Sequence, residues 1–60
     1  MTIKYILVLK DGEGAVKLSE HEFCGNTSLE RAISIAETEI ESWVIRDQMR
    51  FVSLSITNLD

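Results

Sequence analysis

The stretch from Thr27 to about Val44 constrains this chain most, because it is the one long segment with a helical pattern. Apolar residues recur in it at spacings of three and four, which places them on one face of a helix with 3.6 residues per turn. These residues are Leu29, Ala32, Ile33, Ala36, Ile40, Trp43 and Val44. Thr27 precedes Glu30 by three residues, the spacing of a capping box, so we expect Thr27 to cap the helix. The expected end lies near Ile45 or Arg46.

Strict alternation of apolar residues predicts a first strand over residues 2–10. One side of that strand carries Ile3, Tyr5, Leu7 and Leu9. The following sequence Asp-Gly-Glu-Gly at residues 11–14 predicts a hairpin, with either a type I′ turn centred on residues 11–12 or a type II′ turn centred on residues 12–13. The two registers differ by two residues. Both therefore place Val16 and Leu18 on the side of the first strand that carries Leu7 and Leu9.

The second strand is expected to run from Ala15 to about Ser19, where its alternation breaks. Glu20, His21 and Glu22 sit at the break, and the next apolar residue has the opposite parity. We interpret the break as a bulge or bend that turns Phe23 and Cys24 back toward the core. A last strand is predicted from Met49 to Thr57, with one side made of Val52, Leu54 and Ile56 and the other of Phe51, Ser53 and Ser55.

The order strand, strand, helix, strand predicts a single α+β domain over residues 1–60, with one helix packed on a three-stranded, mainly antiparallel sheet. One helix covers only one sheet face. The other face is expected to carry an apolar patch fringed by lysines, made of Ile6, Val8, Ala15 and Phe51 with Lys4, Lys10 and Lys17. Such a patch indicates a contact surface for a partner or for a second copy of the chain, although scattered exposed apolar residues are also normal.

Charge and cysteine content narrow the function classes. Ten acidic and six basic residues give a formal charge of −4, which argues against direct phosphate binding to nucleic acid and is compatible with a basic protein partner. A single cysteine, Cys24, forms no internal disulfide, and no apolar run is long enough to span a bilayer. We therefore expect a cytoplasmic protein with no membrane partner.

Acidic residues dominate the outer surface of the predicted helix. Glu30, Glu37 and Glu41 fall within a narrow arc beside the apolar stripe, and Glu39 lies on its other flank. Glu37 and Glu41 repel each other at an i, i+4 spacing that no nearby Lys or Arg relieves. The pattern indicates a surface that binds basic residues of a partner through Glu30, Glu37, Glu41 and Glu39. An ordinary solvated helix face would also give this pattern.

The residues that could support catalysis or metal binding are few. His21 and Cys24 have the spacing of two zinc ligands, but a structural site needs four and the chain has no other Cys or His. Gly12 and Gly14 are not followed by the Lys-Ser/Thr of a phosphate-binding loop. No nucleophile–base pair is recognisable. The sequence therefore predicts a protein that is not an enzyme and holds no metal or cofactor.

The segments KYILVLKDG at residues 4–12, CGNTSLERA at 24–32 and ESWV at 41–44 resemble the N-terminal domain of HicB-type antitoxins. That resemblance implies a domain that neutralises a small mRNA-cleaving toxin by binding it. In size, acidity and element order the chain also resembles small phage-encoded inhibitors, among them anti-CRISPR proteins and the phage inhibitor of host RNA polymerase. Both resemblances imply a non-enzymatic inhibitor whose partner is a nuclease, a toxin or a CRISPR effector. The alternative is a self-associating structural or regulatory module that dimerises through the uncovered sheet face.

Overall fold

The computed structural model describes residues 2–59, which form three strands and one helix. The elements are β1 (Ile3–Lys10), β2 (Val16–Phe23), α1 (Leu29–Asp47) and β3 (Arg50–Asn58). The strands pair antiparallel in the order β2-β1-β3, and α1 packs over β1 and β3. The predicted two-layer α+β fold is confirmed. Within this range, no helix is both long and apolar enough to cross a membrane.

Strand β1 lies at the centre of the sheet and supplies most of the core. Alternate side chains of β1 are at most 2% exposed, namely Ile3, Tyr5, Leu7 and Leu9. On the helix, Ala32 and Ala36 are fully buried against them. Alanine brings little side-chain bulk, so the helix backbone approaches the sheet closely at these two positions. Burying one Leu or Ile side chain contributes roughly 1.5–3 kcal/mol, which makes the four β1 residues the main source of stability.

The buried stripe of α1 is rotated relative to the one that the apolar residues predicted. Leu29 and Val44 were expected inside but are 52% and 40% exposed. Ile35 was expected outside the stripe, yet it packs against the core together with Ile40 and Trp43. Because of this rotation, Glu39 faces the sheet, where its carboxylate accepts a hydrogen bond from Ser19 of β2.

The ends of α1 also differ from the prediction. Ser28 is the N-cap, and its Oγ accepts a hydrogen bond from the backbone N–H of Arg31 at 3.2 Å. The predicted capping box starting at Thr27 is therefore wrong by one residue. At the other end the helix continues to Asp47, beyond the expected boundary. Gln48 then ends it in the left-handed region, with φ of 54°, which is uncommon for a residue other than glycine.

The β1–β2 hairpin has a three-residue loop rather than either predicted two-residue turn. The N–H of Asp11 donates to the carbonyl of Ala15 at 3.0 Å, and the N–H of Gly14 donates to the carbonyl of Asp11 at 3.2 Å. Gly14 has a φ of 88°, as expected for a type I turn followed by a left-handed residue. The Asp11 carboxylate supports the loop by accepting from the backbone N–H groups of Glu13 and Ala15, at 2.8 and 2.9 Å. Ala15 thus closes the loop, and β2 begins at the next residue, Val16.

This loop reverses the faces of β2. Val8 pairs with Leu18 and Lys10 with Val16, so Val16 and Leu18 lie on the side away from the helix, where they are 59% and 63% exposed. Their predicted position under the helix is wrong, because an odd change in register exchanges the two faces of a strand. Lys17, predicted on the open face, is for the same reason on the helix side.

The predicted bulge at residues 20–22 is absent. Ser19, His21 and Phe23 all lie on the helix side, so the alternation along β2 continues without a break. The register of β2 against β1 is continuous, and Phe23 pairs with Ile3 and packs against the core. Cys24 is exposed, so its predicted inward position is wrong.

The sheet irregularity lies instead in β3. Val8 pairs with Ser53 but Leu9 pairs with Phe51, which leaves Val52 as the extra residue of a bulge. Phe51 pairs with Leu9, which is buried on the helix side of β1, so the predicted place of Phe51 on the open face is wrong. Leu54 and Ile56 pack against the core as expected.

Candidate functional site

A polar cluster centred on Glu39 lies between the helix and the sheet. The hydroxyl of Tyr5 donates to Oε1 of Glu39. Oε2 of the same carboxylate accepts from Ser19 Oγ at 2.5 Å and from Trp43 Nε1 at 3.0 Å. The three donors come from β1, β2 and the next turn of α1, so one carboxylate links both layers of the fold.

The register of β2 creates this cluster. Tyr5 pairs with His21, and Leu7 pairs with Ser19, so both polar side chains stand on the helix side next to buried residues of β1. Ser19 is half-buried there, while His21 remains exposed at the sheet edge. A two-residue turn would have pointed Leu18 and Glu20 at the helix instead, and Glu39 would have lost its donor from β2.

Ring contacts extend the cluster along β2. The ring centroids of Tyr5 and His21 are 5.6 Å apart at an interplanar angle of 17°, a stacked arrangement. The ring centroids of His21 and Phe23 are 4.7 Å apart. On the other side of the cluster, Lys17 Nζ lies 4.3 Å from the centroid of the Trp43 ring, within the range of a cation–π interaction. The outer strand β2 is thus tied to the core by polar and ring contacts rather than by aliphatic packing.

The electrostatics of the cluster favour an ionised Glu39 and a neutral Tyr5. Burial of Glu39 acts to raise its pKa, but the hydrogen bonds from Ser19, Tyr5 and Trp43, with the charge of His21, outweigh it, and the pKa lies below the ordinary 4.5. Burial, followed by the hydrogen bond and the charge of Glu39, raises the pKa of the Tyr5 hydroxyl well above its ordinary 10.0. At neutral pH Tyr5 therefore serves as a donor and Glu39 as an acceptor.

This arrangement fixes the helix against the sheet. Both carboxylate oxygens of Glu39 accept hydrogen bonds from the protein itself, so Glu39 is not presented to a partner as the sequence suggested. Within residues 2–59 no cavity is detected, and no three His, Cys, Asp or Glu side chains converge as metal ligands would. The sequence signal for this cluster was Glu39, an acidic residue beside the apolar stripe of the helix, which was predicted to bind a partner and instead binds Tyr5, Ser19 and Trp43.

The other three predicted partner-binding residues do reach solvent. Glu30, Glu37 and Glu41 are exposed on the outer surface of α1. Across the described part of the chain, an ion pair joins Lys4 to Glu20 at 3.6 Å, and none of these three glutamates takes part in an ion pair. We call these three residues the acidic row.

The open sheet face differs in composition from the predicted one. Ile6 and Val8 lie there half-buried, as expected, but their neighbours are Val16 and Leu18 instead of Lys17 and Phe51. Val8 and Leu18 are directly paired, and the ion pair of Lys4 with Glu20 lies at the same face. The aliphatic part of this face is thus larger than the sequence predicted.

No family model, curated protein or solved structure matches this chain.

Proposed function

We propose that this chain is a small, acidic, non-enzymatic inhibitor that binds and blocks a nucleic-acid-handling protein, of the antitoxin or phage anti-defence type, such as an anti-CRISPR protein. The partner would be a nuclease, a toxin or a CRISPR effector. The observation that carries the proposal is the acidic row, Glu30, Glu37 and Glu41, exposed on one side of α1.

The acidic row suits a basic partner surface because its charges have no ion pair within residues 2–59. Glu37 and Glu41 stand one helical turn apart, with about 6 Å between their Cβ atoms, so they present two neighbouring negative charges to a partner. Basic side chains that bind phosphates can pair with such carboxylates instead. Opposite charges across such an interface raise the association rate and the specificity of binding.

The fold holds the row in place. The opposite side of α1 is fixed to the sheet by Ala32, Ala36 and the hydrogen bonds of Glu39, so the row projects from a helix that does not need to rearrange on binding. A surface that is already ordered loses less conformational entropy when it docks.

The test is charge reversal in the row with a matched control. Immobilised wild type is used to capture proteins from an extract of the natural host, and each captured nucleic-acid-binding enzyme is purified and assayed for inhibition. We expect Glu37→Lys with Glu41→Lys to lose binding and inhibition by more than tenfold. The control, Glu13→Lys with Glu22→Lys, makes the same change of four charge units at exposed positions outside the helix and should keep both activities.

Salt and competition give a second readout. Binding through the row should weaken as salt rises, because the Debye length falls from about 10 Å at 0.1 M to about 3 Å at 1 M. Duplex nucleic acid should compete with the protein for its partner. If the helix variant and the control bind a purified partner equally, at low and at high salt, the acidic row is not the inhibitory surface.

A further inference from the structure

The two edges of the sheet differ in the protection they have against strand pairing. The outer strand β2 carries Lys17, Glu20, His21 and Glu22. The outer strand β3 has no charged residue from Phe51 to Asn58, and no proline or glycine. Charged residues, prolines and β-bulges are what natural edge strands use to avoid pairing with another chain. In β3 these devices are confined to its start, at Arg50 and at the bulge of Val52, so the segment 53–58 is an unprotected edge.

An exposed apolar flank of the helix stands over the same edge. Glu39 and Trp43 reach Ser19 and Lys17 of β2, so that side of the buried stripe faces β2. Leu29, Ile33 and Val44 lie on the other side of the stripe, by the spacing of 3.6 residues per turn. Because α1 packs over β1 and β3, this flank faces outward above β3. Its residues are 52%, 36% and 40% exposed, respectively.

We propose that β3 pairs with β3 of a second copy of this chain, antiparallel across a two-fold axis, to give a continuous six-stranded sheet with the two helices on one side. An antiparallel pair of identical strands satisfies the outward N–H and C=O groups of both copies equally. The flanks made of Leu29, Ile33 and Val44 then approach each other above the new strand pair. A second copy fits this edge because it brings both an uncharged strand and an apolar flank.

The size of the contact sets the expected affinity. The six-residue segment 53–58 is about 20 Å long, and the helix layer lies about 10 Å above the sheet, so each copy offers an edge of roughly 20 by 15 Å. The total of about 600 Å² falls below the 1,200–2,000 Å² of stable complexes. We therefore expect a dimer with a dissociation constant in the micromolar range.

Concentration is the first variable of the test. Sedimentation velocity from 5 to 500 µM should show a monomer–dimer equilibrium for the wild type. Hydrogen exchange at the two ends of this range should show amides of β3 gaining protection as the protein concentration rises, whereas amides of β2 should not change. Amide protection identifies the strand involved without any substitution.

Three variants locate the interface. Ser55→Lys places like charges near the two-fold axis of the paired strands, and Ile33→Lys places a charge in the helix flank; each should weaken the dimer at least tenfold. Leu18→Lys changes an exposed apolar residue of the open sheet face and should leave the dimer unchanged. Circular dichroism and the thermal midpoint verify that each variant is folded.

Salt separates this proposal from the inhibitory one. Pairing through backbone groups and apolar side chains should not weaken between 0.05 and 0.5 M salt, because salt screens the repulsion between two copies that each carry a charge of −4, whereas binding through the acidic row should weaken. A monomer at every concentration overturns the proposal. It is equally overturned if Leu18→Lys dissociates a dimer that Ile33→Lys leaves intact, since that result assigns the contact to the open sheet face.

Discussion

Replacing Glu39 with alanine removes the acceptor of three hydrogen bonds at once. Tyr5 is 1% exposed, so its hydroxyl loses its acceptor where water cannot easily replace it, at a cost of about 1–3 kcal/mol. Ser19 and Trp43 are half-buried and can turn toward water, so each should add only about 0.5 kcal/mol. We expect Glu39→Ala to lower the free energy of unfolding by about 3 kcal/mol.

A loss of that size is large for this chain. A domain of 60 residues is expected to have a total stability of about 3–9 kcal/mol. At about 4–8 °C per kcal/mol, the thermal midpoint of Glu39→Ala should fall by about 12–24 °C. Urea denaturation followed by the fluorescence of Trp43, the single tryptophan, measures the same quantity directly. Glu37→Ala, which changes an exposed carboxylate two residues earlier, is the control and should stay within about ±0.5 kcal/mol.

The pH dependence provides a test specific to the ionised carboxylate. The pKa of Glu39 in the folded protein lies below the ordinary 4.5, so the folded state favours the charged form. Its contribution to stability is therefore complete above about pH 4.5 and is lost as the pH falls through the lower, folded-state pKa. The difference in unfolding free energy between wild type and Glu39→Gln should shrink as the pH falls below 4.5. Other carboxylates titrate in both proteins and largely cancel.

Two results would refute this reasoning. If Glu39→Ala is no less stable than Glu37→Ala, the three hydrogen bonds do not join the helix to the sheet. If the difference between wild type and Glu39→Gln stays constant from pH 7 to pH 3, the carboxylate contributes nothing through its charge.

Two further predictions concern the ends of the helix. Ser28→Ala should lower the unfolding free energy by about 1 kcal/mol through loss of the N-cap, whereas Thr27→Ala should stay within about 0.5 kcal/mol; urea midpoints of the two variants decide which residue caps the helix. Gln48→Gly should raise the free energy of unfolding by up to about 1 kcal/mol, and the thermal midpoint with it, because glycine adopts a φ of 54° without the clash of a Cβ atom. A lower midpoint would show that Gln48 stabilises the protein through its side chain.

The reversal of β2 shows where reasoning from the sequence failed. The residues Asp-Gly-Glu-Gly accept several turns, and both considered turns were two residues long. The loop in the structure has three residues, with Gly14 in the left-handed region, and a loop with an odd number of residues in place of an even one exchanges the faces of the strand. The apolar character of Val16 and Leu18 predicted that they face the helix. In the structure Ser19 and His21 face it instead, where Ser19 binds Glu39 and His21 stacks on Tyr5, both of which belong to other elements.

The sequence by itself determined the elements, their order, the inward face of β1 and the exposure of Glu30, Glu37 and Glu41. These features depend on local periodicity, and the periods of a strand and a helix are properties of the backbone alone. The tertiary structure decided the faces of β2, the bulge at Val52 and the inward position of Glu39. Each of these depends on contacts between residues far apart in the chain: the half-buried carboxylate of Glu39, for example, accepts hydrogen bonds from residues of β1, β2 and α1.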